Sequence, residues 1–481
     1  SLPLSLPARN QGLSGRFSYG YDTRYLAEFN FGYNGSERFA ENSRFGFFPS
    51  FGLGYVVSNE KFFEPLTEVI NNFKLRATYG FVGSDQIGRS EDRFFYLSEV
   101  QMNNLDYGAT FGELYGYSRP GVLVSRYANP NITWEKSEQI NLGLDLRLFK
   151  AWDLNIDVYR NTRTNILSGR TYIPTTMGLQ ASIIANTNEG MSQGLDVMTT
   201  YNKDFGGGWS AQMRGNFTYA TSKVLKYDEP SYPENEWYRS RVGNSMAQRY
   251  GYIAERLFVD DNEAINSPIQ FGGTPGIANG GSYGGGDIKY RDVNGDGVIN
   301  NQDMVPIGLP TSPEIIYGFG GTIAYKSFDF SFFFQGSARS SFFINSENIA
   351  PFVFNGGSQN ALLKVVADSY WSEENRNLYA LWPRLSQNFV VNNSRERSDI
   401  NETSTWWMRN GSFLRFKNVE LGFNPKPSLI RKFGLNTMRV YVNATNLAVW
   451  SNFKMWDPEM GGSGLGYPIQ SAYNFGLQIG F

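Results

Sequence analysis

Apolar and polar residues alternate with a period of two, in segments of about ten residues, along most of this chain. Between Ile140 and Leu148 the apolar positions are Ile140, Leu142, Leu144, Leu146 and Leu148; Asn141, Gly143, Asp145 and Arg147 lie between them. Successive side chains of a strand point to opposite faces, so one face here is aliphatic and the other polar. The next segment sets Trp152, Leu154, Ile156 and Val158 against Asp153, Asn155 and Asp157. Only Phe149 to Ala151 separates the two runs, which predicts a hairpin. The same pattern predicts strands near 13–21, 24–34, 46–57, 72–83, 192–203, 209–221, 314–325, 327–337, 411–424, 437–449 and 470–481, about thirteen in all.

The connections alternate in length. Short ones are predicted near 22–23, 150–151, 204–208 and 326, with intermediate ones at 58–71 and 425–436. Those between them are mostly long: 84–135, 165–191, 222–313, 338–410 and 452–469. Tight turns on one edge and long loops on the other are the arrangement of an outer-membrane barrel, with the short side periplasmic. Trp152, Trp209, Tyr325 and Phe328 flank short turns, where a barrel carries an aromatic girdle and any hairpin carries cross-strand packing. The last segment alternates Tyr473, Phe475, Leu477, Ile479 and Phe481 with Asn474, Gly476, Gln478 and Gly480. A closing aromatic of this kind resembles the signal such barrels offer to their assembly machinery. The fold class expected is all-β: a transmembrane antiparallel β-barrel in the outer membrane, with long extracellular loops.

Composition removes competing classes. Of 481 residues, 16% are aromatic and 18% charged, unlike a disordered chain. No apolar run approaches the ~20 residues a membrane-spanning helix needs. Lys plus Arg total 43 and Asp plus Glu 45, a balance that argues against a nucleic-acid partner. Cys and His are both absent. That removes disulfides, thiolate metal sites, the usual general base, the Ser–His and Cys–His nucleophile pairs and most zinc sites, so no enzyme is expected. The opening, Ser1 to Pro7, has neither Met nor a charged n-region, which reads as a processed chain or part of a longer one. Glu373-Glu374 fits solvated loop charge, and the Gly-rich 461–466 segment lacks the Lys-Ser/Thr of a phosphate loop.

One motif carries chemistry. Residues 292–303 fit an EF-hand-type Ca2+ loop. Asp292, Asn294 and Asp296 stand at its first, third and fifth positions, where oxygen ligands converge. Gly297 follows at the sharp turn, Val298 would offer its carbonyl, and Asn300 would bind directly or through water. Asp303 closes the loop where an EF-hand has Glu; one methylene less makes two-oxygen closure harder and the expected affinity weaker. The flanks do not suit a helix–loop–helix, so the expected role is structural, in a long extracellular connection. A run of Asx turns without an ion accounts for the same residues, and Mg2+ fits less well because it keeps its waters. The long connections also carry Tyr107, Tyr115, Tyr117, Trp237, Trp371, Trp382, Trp406, Trp407 and Tyr467. These suit stacking on sugar rings, contact with a docked lid protein, or packing of the loops against one another.

Several segments are similar to a known family. Asn34 to Phe39 followed by Phe45 to Ser50, Phe73 to Gly83, Asn129 to Glu135, Asp287 to Gly297, Gly411 to Val419, Thr445 to Leu447 and Asp457 to Glu459 occur in its order. Together they resemble the SusC/RagA family of TonB-dependent outer-membrane transporters; Asn34 departs from the family's usual Asp. The resemblance implies a barrel of about twenty-two strands around an N-terminal plug. Residues 1–481 would then be the C-terminal portion, about thirteen strands, with the plug and the N-terminal strands absent from this chain. An open sheet in lipid leaves unsatisfied edges, so the N-terminal remainder of the barrel is an expected partner, along with outer-membrane lipid. Strand parity agrees, since the first strand would run inward from the cell surface. The resemblance further implies a SusD-like surface lipoprotein over the long loops and the TonB complex acting through the plug, with import of glycan fragments or oligopeptides. Two other readings remain open: a passive porin-type channel, and an extracellular β-rich glycan-binding module or glycosidase.

Overall fold

The computed structural model describes residues 9–87, 94, 96–352, 354, 355, 358, 359, 361–386, 392, 393, 403–464 and 466–481. The opening stretch Ser1 to Pro7 and Leu465 of the Gly-rich segment lie outside them. Thirteen strands form one antiparallel sheet in which each pairs with the next. They are β1 (Asn10–Tyr21), β2 (Tyr25–Ser36), β3 (Phe45–Val56), β4 (Ile70–Ser84), β5 (Glu135–Leu148), β6 (Trp152–Gly169), β7 (Ile184–Gly206), β8 (Trp209–Lys226), β9 (Ile315–Tyr325), β10 (Phe328–Ala338), β11 (Phe413–Phe423), β12 (Thr437–Ser451) and β13 (Ala472–Gly480). Every predicted strand is present. β6 and β7 run well past their predicted limits, because Arg160–Thr164 and Asn186–Gly190 are polar on both faces and hide the alternation. Among the described residues no helix is long and apolar enough to cross a membrane.

The connections sort as expected. Those at 22–24, 57–69, 149–151, 207–208, 326–327 and 424–436 lie on one edge, and those at 37–44, 85–134, 170–183, 227–314, 339–412 and 452–471 on the other. The tight ones are paid for in backbone conformation. Asp22 and Thr23 both have positive φ, and the Arg24 N–H donates to the Tyr21 carbonyl at 3.0 Å, the geometry of a type I′ turn. Phe149 and Lys150 repeat it, with Ala151 N–H to Leu148 carbonyl at 3.0 Å. This turn suits the right-handed twist of the strands it joins, which offsets the left-handed cost at non-glycine residues.

Residues cluster into two compact units, divided within β7 and β8: residues 1–197 with 220–231 and 241–243, and residues 198–219 with 232–240 and 244–481. In the first unit Phe17, Phe29 and Phe51 sit opposite one another on β1 to β3, and Leu75, Leu144 and Ile156 on β4 to β6. Many of the large side chains on this face are open to the surroundings; Leu142 is 59% exposed and Leu53 65%. The second unit does the same with Leu421, Val442 and Phe475. Apolar exposure on this scale belongs to a wall facing lipid.

The cores lie in the long connections. In the second unit Tyr252, Leu257, Ile288, Tyr290, Ile299, Ile344, Trp371, Trp382 and Trp407 bury one another. In the first, Phe39, Ile87, Ile132 and Trp134 form a smaller core, with the Phe39 and Trp134 rings 5.1 Å apart.

Candidate functional site

The face opposite the apolar one is polar and internally paired. In the first unit Arg76 on β4 donates to Asp145 on β5 at 2.9 Å and to Asp157 on β6 at 3.0 Å. Asp157 is two strands away, and Gly143 lies between, opposite both Arg76 and Asp157 in the ladder. A Cβ at Gly143 would stand 2.5 Å from the guanidinium carbon. The missing side chain is what lets the cation cross the strand. The second unit repeats the device. Arg439 on β12 donates to Glu420 on β11 at 2.7 Å and passes over Gly422 to Asp329 on β10 at 2.6 Å. Ion pairs on a partly wetted wall contribute little individually, roughly 0–1 kcal/mol. Their effect is to keep charge on one face and to fix its register.

Beside Arg439 a row of polar side chains crosses six strands at one height. Gln212, Thr322, Ser331, Glu420, Asn443 and Asn474 sit opposite one another from β8 to β13. They line a hollow of about 470 Å3. The amide of Asn474 donates to Asn443 at 2.9 Å, and Asn443 to Glu420 at 3.3 Å. These groups offer donors and acceptors without a strong net field, which suits water and neutral polar solutes. Sequence reasoning found the polar face but not these partnerships. Its only signal was Arg and acid on alternate positions of separate strands.

The chain between β8 and β9 brings the residues of the proposed Ca2+ loop together. Asp292 accepts the N–H groups of Gly295 at 2.7 Å and Gly297 at 2.8 Å. Asn294 Oδ1 accepts from the Asp296 N–H at 3.0 Å, and Asp296 Oδ1 from the Val298 N–H at 2.8 Å. Gly295 and Gly297 take φ of 77° and 82°, which a side chain would strain. Val298 and Ile299 pair in parallel with Ile269 and Gln270. Asp303 is buried and closes the loop: one oxygen accepts from the Val293 N–H, the other from the Asn300 N–H, each at 2.8 Å. Asn300 and Asp303 thereby form a capping box on the short helix Asn301–Asp303. The Asp292 oxygens and the Asn294 amide oxygen each hold one N–H and keep a further lone pair, so the donor set suits a hard cation. Among the described residues no group of three or more carboxylates stands ready to hold a metal. The carboxylates of the loop are drawn to its own backbone N–H groups.

The second unit is also fastened by ion pairs that are partly or fully buried. Burial alone would push the Glu263 carboxyl up, but hydrogen bonds from Arg256, the Val259 N–H and Lys289 bring it down to about 2. Asp287 is fully buried, and that burial pushes its carboxyl up against the opposing pull of Arg384, 2.8 Å away. Arg415 is 2% exposed and is gripped by Asp457 and Glu459, each at 2.6 Å. Of the loop aromatics, Trp371, Trp382 and Trp407 are core residues, Trp406 packs beside them, and Trp382 and Trp407 lie 4.9 Å apart. Packing of the loops accounts for these four. Tyr107, Tyr115, Tyr117, Trp237 and Tyr467 remain exposed. At the short-turn edge Trp209 stacks on Tyr325 at 4.2 Å, both open to the surroundings as a girdle requires.

Comparison with known proteins matches this architecture. The family model "TonB dependent receptor-like, beta-barrel" matches residues 5–447. TonB-dependent receptor P3 of Formosa agariphila is 28% identical over 92% of this chain and 41% of its own length. TonB-dependent receptor SusC of Bacteroides thetaiotaomicron is 27% identical over 97% of this chain and 43% of its own. The structure of the RagAB peptide transporter superposes with a TM-score of 0.69 at 21% identity, covering 98% of this chain and 47% of that one. The chain thus spans less than half the length of these relatives. They are receptors and transporters, in keeping with the expectation that the chain is no enzyme. The SusC/RagA resemblance of the sequence motifs, the sheet and the relatives agree, and the chain belongs to the TonB-dependent receptor-like β-barrel family of the outer membrane.

Proposed function

We propose that the protein containing this chain is an active outer-membrane importer of glycan fragments or oligopeptides. This chain forms a large part of its wall. The observation that carries the reading is the pairing of faces. One face is apolar and exposed; the other is an ion-paired, amide-lined surface beneath long connections that fold into buried cores. Such a wall is suited to line an aqueous passage with a structured outer mouth. Among the described residues β1 and β13 each have one neighbouring strand, so strands outside this chain supply their other partners, because bare strand edges are costly in lipid. A SusD-like surface lipoprotein covers the long connections, and the TonB complex supplies energy through a plug outside these residues.

The test is uptake of labelled oligopeptides and oligosaccharides by the native host, with the gene intact or deleted and with TonB present or absent. Import of one class should fall to background in both the deletion and the TonB-null strain. Uptake that survives loss of TonB indicates a passive porin instead; uptake indifferent to the deletion removes the importer reading.

We further propose that residues 292–303 hold a structural Ca2+ through Asp292, Asn294, Asp296, the Val298 carbonyl, Asn300 and Asp303. The spacing of these oxygen-bearing residues and the two left-handed glycines support it. Calorimetry on the intact protein should show saturable Ca2+ uptake, and the absence of any uptake rules the site out.

A further inference from the structure

We propose that the connection between β11 and β12, residues 424–436, is a membrane anchor that seats on anionic phospholipid headgroups at the short-turn rim of the wall. This segment contains Lys426, Arg431 and Lys432 and no Asp or Glu. It turns through a short helix, Pro427–Ile430, extended by a 3-10 turn, Arg431–Phe433. Ile430 is buried and fixes the helix from within. Gly434 closes it at φ 74°: its N–H donates to the Arg431 carbonyl at 3.1 Å, and the Leu435 N–H to the Ile430 carbonyl at 3.3 Å. Both ends are tied to neighbouring strands. The Asn424 N–H donates to the Ser327 carbonyl at 2.7 Å, and the Asn436 N–H to the Gly480 carbonyl at 2.8 Å. The segment is therefore a held element, presenting a defined surface.

That surface is amphipathic. Leu429 is 55% exposed and Phe433 80%, on a connection where polar residues would cost nothing. Lys426, Arg431 and Lys432 are all exposed, and no carboxylate among the described residues pairs with any of them. Elsewhere in this unit Arg256, Arg339, Arg415 and Arg439 each have an acidic partner.

The anchor also continues the lipid-facing surface. Phe423, the last residue of β11, packs against Phe328 on the apolar face, their rings tilted by 38° and 4.8 Å apart. Met438, which follows the anchor, sits opposite Ile479 on that same face. Apolar side chains beside unpaired Lys and Arg at the end of a membrane-crossing strand match an acyl-chain boundary capped by phosphates. The partner of opposite sign is the phospholipid headgroup. The 57–69 connection of the other unit exposes Phe62 and Leu66 but mixes Lys61 with Glu64 and Glu68, whereas the 424–436 connection carries basic residues alone.

The test uses the full-length protein in a cysteine-free background, which this chain already provides over its own residues. Phe433→Cys carries a nitroxide, and the protein is reconstituted into phosphatidylcholine vesicles with or without phosphatidylglycerol. The label should collide more with oxygen than with a water-soluble nickel chelate. In the triple variant Lys426→Gln, Arg431→Gln, Lys432→Gln, phosphatidylglycerol retained on the protein in native mass spectrometry should fall several-fold. All three positions are exposed, so the variant should keep its folded gel mobility, and a variant that loses it is replaced by the three single substitutions. Nickel access exceeding oxygen overturns the proposal, because the surface then faces water. Exclusion of both reagents overturns it in favour of a covering protein segment. Unchanged phosphatidylglycerol retention overturns the headgroup contact.

Discussion

A guanidinium reaches a carboxylate two strands away only if nothing rises from the strand between. Arg76 and Arg439 both solve this with a glycine, at Gly143 and Gly422. Gly143→Leu should therefore destabilise the wall by about 1–3 kcal/mol through overpacking, measured by urea unfolding in vesicles. The cause is specific to Arg76, so the cost should shrink markedly in an Arg76→Ala background, a coupling that a double-mutant cycle reads directly. Equal costs in both backgrounds would show that clearance for the cation is not why glycine is there. The sequence made the polar face legible at this scale, since Asn141, Gly143 and Asp145 alternate with leucines. It did not reveal which cation meets which acid. β4 and β5 are separated by the 85–134 connection, and only the hydrogen-bond register sets Arg76 opposite Gly143. The family-like motifs gain a physical meaning here too. Phe39 and Trp134 come from two of them and share a core; Arg415 and Asp457 come from two others and share an ion pair. These motifs report how the long connections are fastened.

At the scale of elements, the strands were readable and the connections were not. Strand alternation is local, whereas a loop core such as Tyr252, Ile299, Trp382 and Trp407 draws on segments far apart in the chain. The hairpin of Glu99–Phe111 with Tyr117–Arg126 was likewise invisible, because its register shifts three times and so breaks the period of two. The turns of residues 292–303 are the exception, since the Asp, Asn and Gly spacing that builds them is local enough to read directly. If it holds Ca2+ with a dissociation constant of about 10⁻⁴ M, a tenfold excess of ion stabilises the 227–314 connection by roughly 1.4 kcal/mol. Proteolysis of that connection should slow by about tenfold where opening is fast relative to cleavage, while unfolding of the strands stays unchanged. The informative comparison is with and without Ca2+ in the same protein. Asp292 also holds the N–H groups of Gly295 and Gly297, so an Asp292→Ala variant loosens the loop whether or not an ion binds. A protease pattern indifferent to Ca2+ leaves the residues as Asx turns alone.

For the whole molecule the decisive property is that its two faces meet different solvents. In a water-soluble sheet of this exposure, a charge on either face would be tolerated alike. In a bilayer wall the faces differ by the depth-dependent cost of placing a cation in hydrocarbon, about 2–4 kcal/mol near the midplane. Val442 and Asn443 are neighbours on β12 that point to opposite faces. Val442 sits opposite Leu421 and Phe475, whereas Asn443 sits opposite Glu420 and Asn474 and lines the polar hollow. Val442→Arg should cost that full amount in vesicle-reconstituted protein, read by reversible urea unfolding. Asn443→Arg should cost far less, because its guanidinium meets water and the Glu420 carboxylate. The two substitutions share strand, residue type and charge, so propensity and net charge cancel between them. A difference of about 2 kcal/mol or more assigns the Val442 face to lipid. Equal costs would mean that both faces are wetted, and the exposed leucines and phenylalanines of β1 to β13 would then need a protein surface, not a membrane, to cover them.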